Sequence, residues 1–590
     1  MVVRFLLGAA CALLLTLAGA GALAAEPDRT DAVRVLIDVS GSMKKTDPGN
    51  LRTPALRLLV NLLPPDSEAG VWHFAQYVNR ITPVAPADGA WRRSALDAAD
   101  RIHSRGLFTD IGAALDDATE DWRSPVSGER RSIILLTDGK VDISKEDGIN
   151  EQARADLLAE LLPRLQDAGV SVHTIALSRD ADQDLMERLA LGTDGEFFQV
   201  DSAEALQRIF LRLFEQTVER ETVPLDGNRF SIDDSINEMT VLAFRGPEGA
   251  PARLQTPSGE TFGRPGAGDN VRWFHERGYD LITVNDPEPG EWVLRADVDP
   301  DNRVMIVTDL QLRTTRLPSN LLAGERLQYA AGLTEQGELI TRPDFLQVVE
   351  FNVTQRPEDA NRGPRWVLRD NGMGEDEQEG DGLFTLELGQ SLTEGKHTII
   401  TQAESATFER EDRQRVTVYG DPLTIREVAL EDAKRLELTP ALDWIDPETL
   451  QLAATVTRPD GTTRETGVPA NGDGIRALPL PESGRGIPVK VEFTLAGNTD
   501  SGRRFTTALQ PVSVKPLAGA TEPAAEPEPE ETPPEKPQAN WAFIGAVVAA
   551  VNLGVFGLLG IGYLVWSNRR GKADEDAGSE DGDEQDIDRD

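Results

Sequence analysis

The sequence predicts an α/β doubly wound domain, followed by all-β sandwich domains, plus a single transmembrane helix. Three observations carry this reading. Between residue 31 and about residue 220, short apolar runs alternate with longer amphipathic ones. From about Glu221 to Lys515, strand-like runs are separated by clusters of Gly, Pro, Asn and Asp. Trp541–Trp566 is a run of 26 residues without a formal charge.

The first element is a secretory signal over residues 1–24. Arg4 supplies a positive start, Phe5 to Leu17 an apolar run, and Ala22-Leu23-Ala24 a small-x-small cleavage pattern. Cleavage is expected after Ala24 or Ala25. Cys11, the only cysteine, lies inside this segment. The mature chain then has no thiol for disulfides or nucleophilic catalysis.

Residues 31–220 form the α/β domain. Val33–Asp38, Gly70–Ala75, Ser132–Leu136 and Val170–Leu177 read as buried strands, being short continuous apolar runs. Leu51–Leu63, Trp91–Ile102, Ile111–Trp122, Gln152–Leu165 and Ala203–Glu219 carry helical periodicity. Strand-helix alternation implies a mainly parallel sheet.

Downstream, three sandwiches are expected over 221–315, 316–420 (immunoglobulin-like) and 421–515, from strands such as Met239–Phe244, Glu291–Val298, Val304–Leu312, Phe345–Val353, His397–Ala403, Arg413–Val418 and Val489–Leu495. Residues 516–540 are a Pro/Glu-rich linker, kept extended by proline and like charge. The span 541–566 is long enough for a hydrocarbon core of about 30 Å. Trp541, Tyr563 and Trp566 lie at its ends, and Arg569, Arg570 and Lys572 follow it. This places the carboxyl terminus in the cytoplasm. A stripe of Ala542, Ala546, Ala550 and Gly554 permits self-association through the helix, or simply faces lipid. The acidic tail 567–590 reads as solvated.

The chain of 590 residues has 39% hydrophobic and 27% charged residues, which are globular values. Its formal charge of −40 makes it a poor nucleic-acid binder, because the protein repels phosphate instead of neutralising it. No His-Glu-x-x-His, Gly-x-Ser-x-Gly or phosphate-loop motif occurs, so the chain reads as a non-enzyme.

The chemistry concentrates at three places. Asp38-Val39-Ser40-Gly41-Ser42 follows the first apolar strand, Thr109 precedes a helix, and Asp138-Gly139 ends the strand Ile134-Leu135-Leu136. In open α/β sheets ligands bind at the carboxyl ends of strands, so one crevice can collect Asp38, Ser40, Ser42, Thr109 and Asp138. Two carboxylates and three hydroxyls are a hard, all-oxygen set, suited to Mg²⁺, Mn²⁺ or Ca²⁺ rather than Zn²⁺. With few carboxylates on the ion, it stays electrophilic and can accept an Asp or Glu from a protein partner. The competing reading is that these are polar caps and a turn, with Ser40 and Ser42 capping the loop and Thr109 the helix. Asp110 reads as a first-turn acid complementing the helix dipole. Lys44 and Lys45 read as solvated surface lysines, or as a rim favouring an acidic partner.

Asp-x-Ser-x-Ser, then a helix-opening Thr, then a strand-end Asp-Gly resembles the metal-ion-dependent adhesion site of von Willebrand factor A-type domains. The resemblance covers residues 31–220 and implies a Rossmann-like fold. It implies Ser40, Ser42 and Thr109 as ligands, directly or through water, and Asp38 and Asp138 mostly as holders of water. Pro287-Glu288-Pro289-Gly290-Glu291-Trp292 is similar to sandwich modules of calcium-activated chloride channel regulator-like and hemicentin-like proteins. So are Asp370-Asn371-Gly372 and Gly380-Asp381-Gly382. Here Asp376, Glu377, Glu379 and Asp381 read as a solvated acidic hairpin or as a Ca²⁺ chelate. The function implied is a membrane-anchored bacterial cell-envelope protein with an adhesion or assembly role. The alternative is a regulatory subunit working with a MoxR-like ATPase.

Overall fold

Burial on both faces of a central strand organises the first domain. Strand β1 (Thr30–Asp38) is buried from Asp31 onward, as a strand covered by helices on both sides must be. It pairs in parallel with β2 (Glu68–Phe74) on one side and with β4 (Glu129–Thr137) on the other. An antiparallel edge strand, β3 (Val78–Pro86), flanks β2, while β5 (Val170–Ala176) and β6 (Phe197–Gln199) extend the far side. The order is β3-β2-β1-β4-β5-β6. This computed structural model describes residues 30–515, apart from 201–202, 219, 247–248, 361, 377, 390–391, 432, 459, 472–473 and 481–487.

The helices are α1 (Met43–Thr46), α2 (Arg52–Leu62), α3 (Gly89–Ala99), α4 (Ile111–Ala118), α5 (Asp147–Asp156), α6 (Leu162–Asp167), α7 (Gln183–Gly192) and α8 (Ala203–Thr217). A π-turn, Leu157–Leu161, separates α5 from α6. The helix expected over Gln152–Leu165 is thus interrupted just before Pro163, whose ring lacks an N–H and crowds the preceding turn. Sequence reading assigned nothing to β3, α7 or β6.

Alternate residues of β1 feed two cores. Val33, Val35 and Ile37 pack with α2, α3 and α8, while Ala32 and Leu36 pack with α4 and Trp72. The first core does not stop at the domain edge. It continues into Leu242, Phe244, Tyr279, Leu281 and Met305 of the β region.

That region is mostly antiparallel β-structure around three further cores, drawn from residues 223–306, 312–418 and mainly 423–514. A ten-stranded sheet crosses the cut expected near residue 315. Its halves join where Thr222 pairs with Glu411 and the Thr222 hydroxyl donates to the Glu411 carbonyl at 2.6 Å. Two expected strands are corrected. Val304–Leu312 splits at Asp309 into Arg303–Thr308 and Leu310–Thr314, because the chain leaves one sheet for another there. Phe345–Val353 begins as a helical turn, Pro343–Leu346, and becomes a strand only at Glu350, where pairing with Gly395–Glu404 starts. The signal, the linker, the span 541–566 and the acidic tail lie outside the described residues. Among the described residues no helix is long and apolar enough to cross a membrane.

Candidate metal centre

Register brings the two aspartates together. Ile37 faces Leu136 across the β1–β4 ladder, so Asp38 at the end of β1 lies beside Thr137, and Asp138 follows directly. The Thr137 hydroxyl donates to Asp38 Oδ2 at 2.6 Å, and the Ser40 N–H donates to Oδ1 at 2.7 Å. Past the strand, the loop folds Ser40 Oγ to 2.8 Å from Ser42 Oγ, and Ser42 Oγ donates to Asp138 Oδ1 at 2.8 Å. Three of the five oxygen-bearing side chains therefore form one string across two loops.

Thr109 arrives from a third loop. Its N–H donates to the Asp142 carbonyl at 2.6 Å, and the Asp142 N–H returns a bond of 3.0 Å. An added Cβ on Gly139 would stand 3.3 Å from Thr109 Oγ1, which places this hydroxyl against the Asp138-Gly139 turn. Two features let the loop approach. A Cβ on Gly106 would fall 2.3 Å from the Ala75 Cβ and 2.9 Å from the Val39 carbonyl, so only glycine fits there. Phe108 takes φ of 60°, a left-handed conformation that costs a bulky residue on the order of 1 kcal/mol or more. The turn is held in spite of that strain, directly before Thr109.

All five predicted residues converge. Asp38, Ser40, Thr109 and Asp138 are buried, whereas Ser42 is exposed and marks the open side. Among the described residues no ion pair reaches either carboxylate. Burial pushes Asp38 up to about 6, although hydrogen bonds from Thr137 and Ser40 act the other way. A buried carboxylate with hydroxyl neighbours and no cation is an incomplete electrostatic arrangement. The donor set therefore fits a hard divalent ion.

Sequence reasoning missed the supports. Thr46 on α1 donates its hydroxyl to Asp138 Oδ2, and Thr137 orients Asp38. Arg52, fully buried, pairs with Asp47 at 2.7 Å. It also donates to the Asp38 carbonyl, to Asn50 Oδ1 at 3.0 Å and to Ser104 Oγ at 2.8 Å. One guanidinium thus ties the ends of three loops. Asp110 is the N-cap of α4 and accepts from the Ala113 N–H at 2.9 Å, one position ahead of the first-turn role expected of it.

A second acidic group lies in the downstream hairpin, where carboxylate oxygens of Asp370, Asp376 and Asp381 come within 4.8 Å of one another. Asp376 is buried, not solvated as expected, because its carboxylate accepts the N–H groups of Asn371 and Gly372. Backbone amides likewise engage Asp370 and Asp381.

The model of the von Willebrand factor type A domain matches residues 33–212. No curated protein sequence matches the chain. Among solved structures, similarity is found to a von Willebrand factor type A protein from Catenulispora acidiphila, at 15% identity and a TM-score of 0.28, covering 53% of this chain and 64% of that one. Proximal thread matrix protein 1 from the mussel byssus, solved with a zinc-occupied adhesion-site motif, is 20% identical with a TM-score of 0.26, over 34% of this chain and 51% of its own. BatB, a conserved hypothetical protein from Bacteroides thetaiotaomicron, is 20% identical with a TM-score of 0.24, over 30% of this chain and 95% of its own. The chain thus spans less than two thirds of the first two. Residues 33–212 of this chain are a von Willebrand factor type A domain.

Proposed function

We propose that this chain is an exported, membrane-anchored cell-envelope protein that binds a protein partner through a divalent cation, in an adhesion or assembly role. Asp38, Ser40, Ser42, Thr109 and Asp138 would hold the cation, with Mg²⁺ the first choice and Mn²⁺ or Ca²⁺ the alternatives. The observation that carries this reading is the string Ser40 Oγ–Ser42 Oγ–Asp138 Oδ1, with steps of 2.8 Å, beside a buried Asp38 whose carboxylate forms no ion pair among the described residues.

Mg²⁺ is usually held by one or two carboxylates and keeps several waters, which matches a protein set of two carboxylates and three hydroxyls. When bound, the ion supplies an electrophilic position that an Asp or Glu of the partner can fill. The chain's own groups do the rest. Thr137 and the Ser40 N–H fix one Asp38 rotamer, Thr46 fixes Asp138, and the exposed Ser42 leaves the approach open. Catalysis has no part in this reading.

The test is capture of envelope proteins by the full chain with Mg²⁺, with EDTA, and with Asp138→Ala. We expect the partners crosslinked in Mg²⁺ to be lost in both other arms, and calorimetric Mg²⁺ binding to be lost in the variant. Capture that is equally strong in chelator overturns the reading.

A further inference from the structure

Residues 33–212 contain only four lysines, Lys44, Lys45, Lys140 and Lys145, against 17 arginines. The arginines are spread over the whole domain. All four lysines follow the two loop residues Ser42 and Asp138 closely in the chain. Lys44 and Lys45 lie on α1, two and three residues after Ser42, and their N–H groups bond the Gly41 and Ser42 carbonyls at 3.3 and 2.8 Å. Lys140 is two residues past Asp138, within about 7 Å of it along the chain. Lys145 lies farther along the same loop, before α5.

All four are exposed, and among the described residues none makes an ion pair. Most of the arginines behave differently. Arg34, Arg52, Arg131 and Arg154 are engaged with Asp121, Asp47, Glu129 and Asp182. Most arginines thus fix structure; Arg101 and Arg105, ahead of Thr109, are exposed without an ion pair among the described residues, whereas every lysine of the domain follows Ser42 or Asp138. An ammonium on a four-carbon stem is a compact charge that can follow carboxylates in several positions, which a guanidinium fork does less readily. Asp142, Glu146 and Asp147 are also exposed on the second loop, so the rim is not uniformly positive. Its cationic side is set by Lys44 and Lys45, beside the exposed Ser42. In a chain of formal charge −40, exposed cations that follow the site residues Ser42 and Asp138 are the feature an acidic partner would find.

We infer that the four lysines select an acidic protein segment, one carboxylate of which approaches the metal while its acidic neighbours meet Lys44, Lys45, Lys140 and Lys145. This rests on the metal-dependent reading above and names the partner's chemistry.

The test uses the full chain in Mg²⁺ and two synthetic peptides. One carries a single Asp among neutral residues, the other the same Asp flanked by glutamates, and binding is read by fluorescence anisotropy. We expect the acidic peptide to bind about tenfold more tightly at about 50 mM salt, with the advantage largely screened at about 300 mM. Changing all four lysines to glutamine should remove this advantage while the single-Asp peptide still binds, and changing them to arginine should restore most of it. Equal binding of both peptides to the wild type, no binding of either, or an undiminished preference in the glutamine variant overturns the inference. EDTA and Asp138→Ala separate the two failures. If they abolish binding while the lysine changes alter nothing, only the acidic selectivity falls. If they alter nothing, the metal-dependent reading falls with it.

Discussion

Arg52 shows how much of the candidate metal centre depends on one side chain outside it. It is fully buried and joins Asp47, Asn50, Ser104 and the Asp38 carbonyl, so the loops after β1 and α3 are positioned by a single guanidinium. Arg52→Met would keep the volume but leave Asp47 buried without its cation, a change that typically costs about 3–5 kcal/mol. We expect a loss of that size in denaturant unfolding, together with weaker Mg²⁺ binding in calorimetry. A loss below about 1 kcal/mol would mean that the loops hold their own shape. Nothing in the sequence marks Arg52, since a basic residue at a helix start, five positions after an aspartate, has no periodic signature. Thr46 and Thr137 are equally silent, being hydroxyls whose partners come from other strands. Asp38, Ser40, Ser42, Thr109 and Asp138 were legible for the opposite reason. Each is a small oxygen donor placed where an apolar run ends or a helix begins, and β-sheet order then does the gathering.

At the scale of elements, legibility followed burial. β1, β2, β4 and β5 are continuous apolar runs, and they were found because a strand covered on both faces admits little else. β3 is an edge strand with mostly exposed or half-exposed residues, Val-Asn-Arg-Ile-Thr-Pro-Val-Ala-Pro, so its pattern is weak and it was missed. In α8 the amphipathic pattern was clear, but its partners were not. One face fills the α/β core while Glu215 reaches the β region, accepting from Arg303 Nε at 2.8 Å and pairing with Arg415. Burial alone would raise the Glu215 carboxyl, but the Arg415 and Arg303 guanidiniums outweigh it and bring it down to about 2. Glu215→Gln would leave two guanidiniums without their shared anion. We expect it to lower stability at pH 7 by about 3 kcal/mol. The sign with pH is fixed by the depressed value. The contribution is complete above the ordinary 4.5 and is lost as pH falls through about 2. The gap between wild type and variant should therefore close on acidification below 4.5, and a gap that stays constant to pH 2.5 would assign the loss to packing.

Across the whole molecule, the α/β domain is not a bead on a spacer. Its core runs into the β region through Phe244, Tyr279 and Met305, and the loop before β6 is fixed to the later strands. Asn320 Nδ2 donates to the Gly195 carbonyl at 2.7 Å, and Gln216 Nε2 bridges Glu196 Oε1 at 2.8 Å and the Arg415 carbonyl at 2.6 Å. The β region therefore anchors α8 and the loop before β6, and disturbance of the junction should be felt as global stability. Individual strands were legible in this region, but their assignment to sheets was not, because the Thr222–Glu411 contact joins residues 189 apart. The junction also carries a pH dependence. Glu196 is buried among Arg415, Lys396 and Arg212, yet burial prevails and pushes its carboxyl up to about 7; Glu221 is raised to about 7 for the same cause. A carboxyl raised above its unfolded value of 4.5 takes up protons on folding, so its contribution is complete below 4.5 and is lost as pH rises through 7. Between pH 8.5 and 6.5 each group should add about 1 kcal/mol of stability on acidification. Glu196→Gln keeps the shape and removes the titration. The variant should gain stability over wild type at pH 8.5, and its change across this window should be roughly half that of wild type, because Glu221 still titrates. Denaturant midpoints at the two pH values decide it. An unchanged pH difference in Glu196→Gln would mean that this carboxylate is ionised in the folded protein at neutral pH, held by Arg415 in spite of its burial.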